Sequence, residues 1–135
     1  MNMHISLLIN GVEKSAAGGR TFTRINPFTQ EVATTASAAS LEDAGAAVDA
    51  AAAAFPAWSK TGPGERRKIL LKAADIMESK TAEFSELVVA ETGATGHWGA
   101  FNVMVAASML REAASMTTQI SGEVIPSNKP GSLSM

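Results

Sequence analysis

The stretch GPGERRKILLKAADIMESK, Gly62 to Lys80, decides how the rest of the chain is read. Pro63 suits a first helical position, where its missing N–H would have no partner anyway, and Gly62 before it can cap. Glu65 then lies in the first turn, near the positive end of the helix dipole. Ile69, Leu70, Ala73, Ile76 and Met77 recur at helical spacing and predict a buried stripe. The cluster Arg66, Arg67, Lys68 and Lys72 invites a phosphate-binding reading. Helical spacing spreads those charges around the side away from the stripe, so the expectation is a solvated face. The segment Gly62 to Gly64 also lacks the Gly-Lys-Ser/Thr ending of a phosphate loop.

Towards the C-terminus the helical period continues. A further helix is expected from Thr81 to about Thr92, with Phe84, Leu87, Val88 and Glu91 on one face and Gly93 as the stop. Glu91 reads either as a general base or, with no nucleophile or partner carboxylate nearby, as a hydrogen-bonded or interfacial residue. The longest helix is expected from about Thr95 to Ile120, closed by Gly122. Val103, Ala106, Ala107, Leu110, Ala113, Ala114 and Thr117 form one of its faces; Trp98, Phe101, Val105, Met109 and Met116 form another. Apolar character on two faces predicts burial on two sides, and the alanine face asks for a close neighbour, part of which is expected to be missing. The final PSNKPGSLSM, Pro126 to Met135, reads as an extended, solvated connector leading onward.

Towards the N-terminus, Ser40 and Asp43 resemble a capping box, and Leu41, Ala44, Val48, Ala52 and Phe55 fall along one helical face. The alanine run Ala50 to Ala54 favours helix. Pro56 is expected to end or distort that helix, with Trp58 folding back on Phe55 as core. Before residue 40 the period changes to that of strands. ISLLI, residues 5 to 9, is followed by Asn10-Gly11, a pair that supplies the positive φ angles of a two-residue hairpin turn. After Gly18-Gly19, TFTRI (21 to 25) and a stretch from Val32 through Thr35 flank a turn begun by Asn26-Pro27. The segment is thus read as antiparallel β-hairpins over residues 1–39, a layer of about four α-helices over 40–122, and a connector over 123–135.

Composition narrows the function. With 46% hydrophobic and 18% charged residues over 135 positions, the chain is ordinary for a globular protein. A net charge of −2 gives no electrostatic footprint for nucleic acid or an anionic membrane. The opening MNMHISLLIN has no basic lead or cleavage site, and no stretch approaches the roughly 18 apolar residues of a membrane span, so a cytoplasmic protein is expected. Cysteine is absent, which removes disulfides, zinc–thiolate sites and thiol nucleophiles together. His4 and His97 lie far apart without carboxylates at metal-ligand spacing, and read as exposed or half-buried imidazoles.

The ordered series LLINGVE, INPFTQEV, AAAAFPAW, ERRKILLKAADIMES, VVAETG and SGEVIP resembles the start of aldehyde dehydrogenase superfamily enzymes. It covers roughly residues 7 to 126. The stretch FNVMVAASMLREAASMTTQISGEVIPS looks most like the branch that oxidises aromatic aldehydes, salicylaldehyde dehydrogenases in particular. One departure is Gln30, where the family commonly has glycine; it implies a turn that avoids positive φ there, or a tolerated strain of roughly 1 kcal/mol.

The resemblance implies an α/β enzyme of several hundred residues with a nucleotide-binding domain, a catalytic domain and an oligomerisation arm, of which residues 1–135 are the N-terminal part of the NAD(P)-binding domain. It implies a cysteine thiolate attacking the aldehyde, an oxyanion site, hydride transfer to NAD or NADP, and a glutamate activating water. In the family these groups follow the region matched here, so no catalytic or cofactor-binding residue is assigned and Glu91 is not the catalytic glutamate. No cofactor is expected to bind this segment alone. The full enzyme is expected to be a homodimer or tetramer acting on an aldehyde. The long helix of such enzymes passes near the substrate entrance, which makes Trp98, Phe101, Asn102 and Val105 candidate tunnel residues; interior packing, or contact with the absent domain, is the competing reading. The rival from another class is a non-catalytic helical interaction module derived from such an enzyme, its two-sided helix covered by a partner or by self-association.

Overall fold

The computed structural model describes residues 3–135; Met1 and Asn2, part of the expected hairpin layer, lie outside the described residues. Five short strands precede four helices: β1 (Met3–Ile5), β2 (Leu7–Ile9), β3 (Val12–Lys14), β4 (Thr21–Ile25), β5 (Val32–Ser37), α1 (Leu41–Trp58), α2 (Pro63–Ser79), α3 (Thr81–Thr92) and α4 (Gly96–Met116). β2 and β3 form the expected antiparallel hairpin, with Leu8 opposite Glu13. Its turn residues Asn10 and Gly11 stand at φ 54° and 73°, the left-handed pair that matches strand twist. β4 and β5 form the second hairpin, with a register shift at Arg24/Ile25.

The sequence reading did not separate β1, which adds parallel to β5 and gives the sheet order β1-β5-β4. Strand β5 is thereby central, and Thr34 and Ser37 on it are buried. The turn between β4 and β5 is built on Asn26, whose side-chain Oδ1 accepts from the Phe28 and Thr29 amides at 2.9 and 3.2 Å. Gln30 closes it at φ 61°, so of the two expectations the turn takes the strained one.

The helical core lies where α4 packs against α2 and α3. Ala74, Val103, Ala107 and Ala114 are its buried apolar residues, and their small size lets the helices approach closely. The alanine face of α4 therefore finds its neighbour within the chain. The uncovered face is the other one: Trp98, Phe101, Met109 and Met116 are all exposed. This corrects the expected location of the missing neighbour.

Several local expectations also change. Pro56 does not end α1, which runs on to Trp58 and closes with the Ser59 amide donating to Phe55 O at 2.8 Å. Trp58 and Phe55 are both exposed rather than core, and Trp58 instead carries the Arg66 guanidinium over its ring at 5.2 Å. Leu41, Val48 and Phe55, the expected inner face of α1, are bare, Leu41 being 94% exposed. In α2, Ile69 and Ile76 are exposed while the fully buried position is Ala74. Helix α4 stops at Met116 instead of Ile120. The Ala114 carbonyl there accepts from both Thr117 Oγ1 (2.9 Å) and Arg67 Nε (3.1 Å), and these bonds satisfy an end that a further turn would otherwise satisfy. The tail beyond it is exposed as expected, but it doubles back, with the Ile125 amide donating to Ser134 O at 2.9 Å.

The whole chain exposes 9919 Å². A compact folded monomer of 14.0 kDa would expose about 6,700 Å² by the usual size scaling.

Candidate functional site

The N-terminal half of α4 carries the tunnel candidates. Thr95 caps the helix, its Oγ1 accepting from the Trp98 amide at 3.2 Å. Trp98, Phe101, Asn102 and Val105 follow at spacings of three and four and share one stripe. The rings of Trp98 and Phe101 stack with centroids 5.4 Å apart and planes at 26°. Asn102 Nδ2 donates to the Trp98 carbonyl at 2.7 Å, so one amide proton is spent inside the helix. These three residues form a braced unit; Val105 continues the stripe one turn on and is half-buried. Trp98 is 54% and Phe101 43% exposed, an aromatic pair facing outward.

Asn102 also borders a cavity of about 180 Å³ between α2, α3 and α4, lined by Met77, Phe84, Val88, Gly99, Val103 and Ala106. Gly99 was not singled out by sequence reasoning. A Cβ on it would lie 2.7 Å from the Ser85 Cα, so the crossing of α3 and α4 is closer than any larger residue permits. The only signal available was a glycine inside an otherwise helical pattern.

The other candidate groups are occupied structurally. Glu91 Oε1 accepts from buried Thr34 Oγ1 at 2.6 Å, and Oε2 pairs with Arg24 Nε at 3.2 Å. The carboxylate thus ties α3 to strands β4 and β5, the hydrogen-bonded reading of this residue. Arg66, half-buried, donates to the Trp58 and Ser59 carbonyls; Arg67 donates to the Ala114 carbonyl but is exposed with Lys68 and Lys72, as expected of a solvated face. Arg111 on α4 grips both Glu78 oxygens (2.6 and 2.7 Å) and Asp75 Oδ1 (2.9 Å) on α2. The Arg111 hydrogen bonds hold the Glu78 carboxyl below its ordinary range and raise the guanidinium's own value.

Asp43 makes a clamp that sequence reasoning read only as a cap. The capping box is present, with the Ser40 amide donating to Asp43 Oδ2 at 2.8 Å and the Asp43 amide to Ser40 Oγ at 3.2 Å. Both Asp43 oxygens also accept from the Ala17 amide, at 3.1 and 3.0 Å. The carboxyl is held below its ordinary value, first by the Ser40 amide, then by the Ser40 hydroxyl, the Ala17 amide and the Lys14 charge, with burial opposing.

Among the described residues no cluster of three or more His, Cys, Asp or Glu could hold a metal, and no helix is long and apolar enough to cross a membrane. The glycines around Pro63 open α2 without a following Gly-Lys-Ser/Thr, and the arginines beside them are committed to backbone carbonyls. With no cysteine in the chain, no thiol nucleophile is present either.

Residues 13–135 match the model of the aldehyde dehydrogenase family. A vanillin dehydrogenase of Pseudomonas sp. strain HR199 is 58% identical over 132 residues, which are 98% of this chain and 27% of that protein. The crystal structure of a salicylaldehyde dehydrogenase from Pseudomonas putida G7 complexed with salicylaldehyde superposes with a TM-score of 0.94 at 45% identity, over 97% of this chain and 27% of that one. An NAD-dependent benzaldehyde dehydrogenase from Corynebacterium glutamicum matches with a TM-score of 0.84 at 32% identity, over 92% and 27%. The chain spans about 27% of the length of these relatives.

Proposed function

Because the chain belongs to the aldehyde dehydrogenase family, we propose that it is the N-terminal portion of an NAD(P)-dependent enzyme that oxidises an aromatic aldehyde to its carboxylic acid. In that reaction the aldehyde and water give the acid, and a hydride passes to NAD or NADP, which supplies the electron acceptor. This segment's part is scaffold, belonging to the NAD(P)-binding domain, with residues 1–39 as its hairpin layer, 40–122 as its helical layer and 123–135 leading onward. The aromatic preference rests on the likeness to relatives named for vanillin, salicylaldehyde and benzaldehyde. The enzyme would be cytoplasmic and a homodimer or tetramer.

The observation that carries the proposal is the large exposed surface, with apolar side chains such as Leu41, Phe55 and Trp98 on it. The excess over a compact monomer is about 3,200 Å², several times the roughly 800 Å² that one partner contributes to a standard interface. An excess of that size favours the remaining domains of an enzyme over a single partner, and so disfavours the interaction module. Within it, the Trp98, Phe101, Asn102 and Val105 stripe lines the passage by which the aldehyde enters. Stacked rings give an aromatic substrate apolar surface to slide along.

The test joins this chain to the remainder of the Pseudomonas vanillin dehydrogenase, in place of that enzyme's matching segment. The chimera should oxidise vanillin. Exchanging Phe101→Leu and Val105→Ala in it should shift the ratio of kcat/KM for vanillin to that for benzaldehyde by about 10-fold, the scale of a changed apolar contact. An inactive but folded chimera would count against the family role; an unchanged ratio would remove the passage assignment.

A further inference from the structure

We infer that Gly99 is a positioning residue for the aldehyde passage: by lacking a side chain it lets α4 sit against Ser85 of α3 and so sets the depth of the Trp98–Val105 stripe. The inference rests on the passage reading above and adds the element that fixes its width. A Cβ at Gly99 would meet Ser85 Cα at 2.7 Å, Cβ at 3.1 Å and Oγ at 3.1 Å. The nearest of these is backbone and cannot rotate aside. The Ser85 hydroxyl is also held, donating to Thr81 O at 2.8 Å. Room for a methyl therefore comes only from helix displacement, by the difference between 2.7 Å and the 3.4 Å at which ordinary contact begins.

Such a displacement reaches the stripe directly. Trp98 is covalently adjacent to Gly99, stacks on Phe101 and receives the Asn102 amide, so the three move as one body. The buried side of α4, at Val103 and Ala107, faces away from the stripe and holds the helix against its neighbours. A second close approach fixes the preceding turn: a Cβ at Gly93 would lie 2.7 Å from Pro27 Cγ and 2.9 Å from the Phe28 ring. With the chain pinned at Gly93 and at Gly99, the start of α4 has a set angle as well as a set depth. Displacements below 1 Å in substrate-positioning groups are enough to change rates by one or two orders of magnitude.

The experiment uses the chimera described above, with vanillin and benzaldehyde as the two probes. Gly99→Ala pushes α4 from its own side, and Ser85→Val applies bulk to the same spot from α3. Both variants should change the vanillin to benzaldehyde ratio of kcat/KM about 10-fold and in the same direction, chiefly through KM. A merely structural glycine would lower the thermal midpoint and depress both substrates by one common factor, and that result would overturn the inference. Should Gly99→Ala fail to fold, Ser85→Val alone decides. If Phe101→Leu and Val105→Ala alter the ratio while Gly99→Ala and Ser85→Val leave it unchanged, the passage stands and the role of Gly99 falls. If none of the four alters it, both fall together.

Discussion

At Gln30 the backbone stands at φ 61°, a conformation in which a side chain costs about 1 kcal/mol. The residue stays because Asn26 organises the turn around it and because Gln30 Nε2 donates to Pro27 O at 2.8 Å. That bond is exposed and contributes little, so Gln30→Gly should raise stability by up to about 1 kcal/mol in equilibrium unfolding of the chimera. Gly93 is the opposite case. Its φ of 71° and the contact its Cβ would make with Pro27 and Phe28 both oppose substitution, and Gly93→Ala should cost about 2 kcal/mol by the same measurement. Asp43 gives the pH dependence. Its carboxyl value is lowered in the fold, so its contribution is present above the ordinary value of 3.8 and is lost as pH falls through the lower folded value. Asp43→Asn should therefore lower the thermal midpoint at neutral pH and flatten its decline on acidification below that point. The capping role was legible in Ser40 and Asp43, whereas the bond to Ala17 spans 26 residues and follows from no local pattern.

The helices show what periodicity can and cannot supply. Helix α3 has its expected limits because Gly93 provides a left-handed stop, a signal carried by one residue. Helix α4 ends early because Thr117 and Arg67 share the Ala114 carbonyl, and Arg67 lies 47 residues away. Both faces of α4 were legible as apolar; which one the chain itself covers was not, since that depends on how closely Ala74 and Gly99 let the neighbouring helices approach. The same limit explains α1, whose apolar row is real but stays bare among the described residues. At its start α4 depends on Thr95, and Thr95→Ala should cost about 1 kcal/mol in equilibrium unfolding. Loss of this cap should also loosen Trp98, whose amide it holds. The candidate site itself was only half legible. Its four residues could be placed on one stripe from spacing, while Gly99 and Ser85 emerge only where two helices meet.

Over the whole molecule, five buried apolar residues, Ala16 among them, form the described core, and exposed side chains such as Leu41, Phe55, Trp98 and Ile120 surround it. Four alanines and one valine are a small set of fully buried apolar residues for a chain of this length. The separate 135 residues should accordingly show a broad thermal transition, bind a hydrophobic dye and self-associate; a sharp transition at monomeric mass would instead indicate a self-sufficient domain. As proposed above, the chain serves an aldehyde-oxidising enzyme as scaffold while the catalytic groups lie on other residues. The most direct test is NAD(P)H formation from vanillin with NAD or NADP, followed in parallel for the chain alone and for the chimera. Product from the chimera and none from the chain alone is the predicted result. Enzyme-dependent NAD(P)H formation by the 135 residues themselves would contradict it.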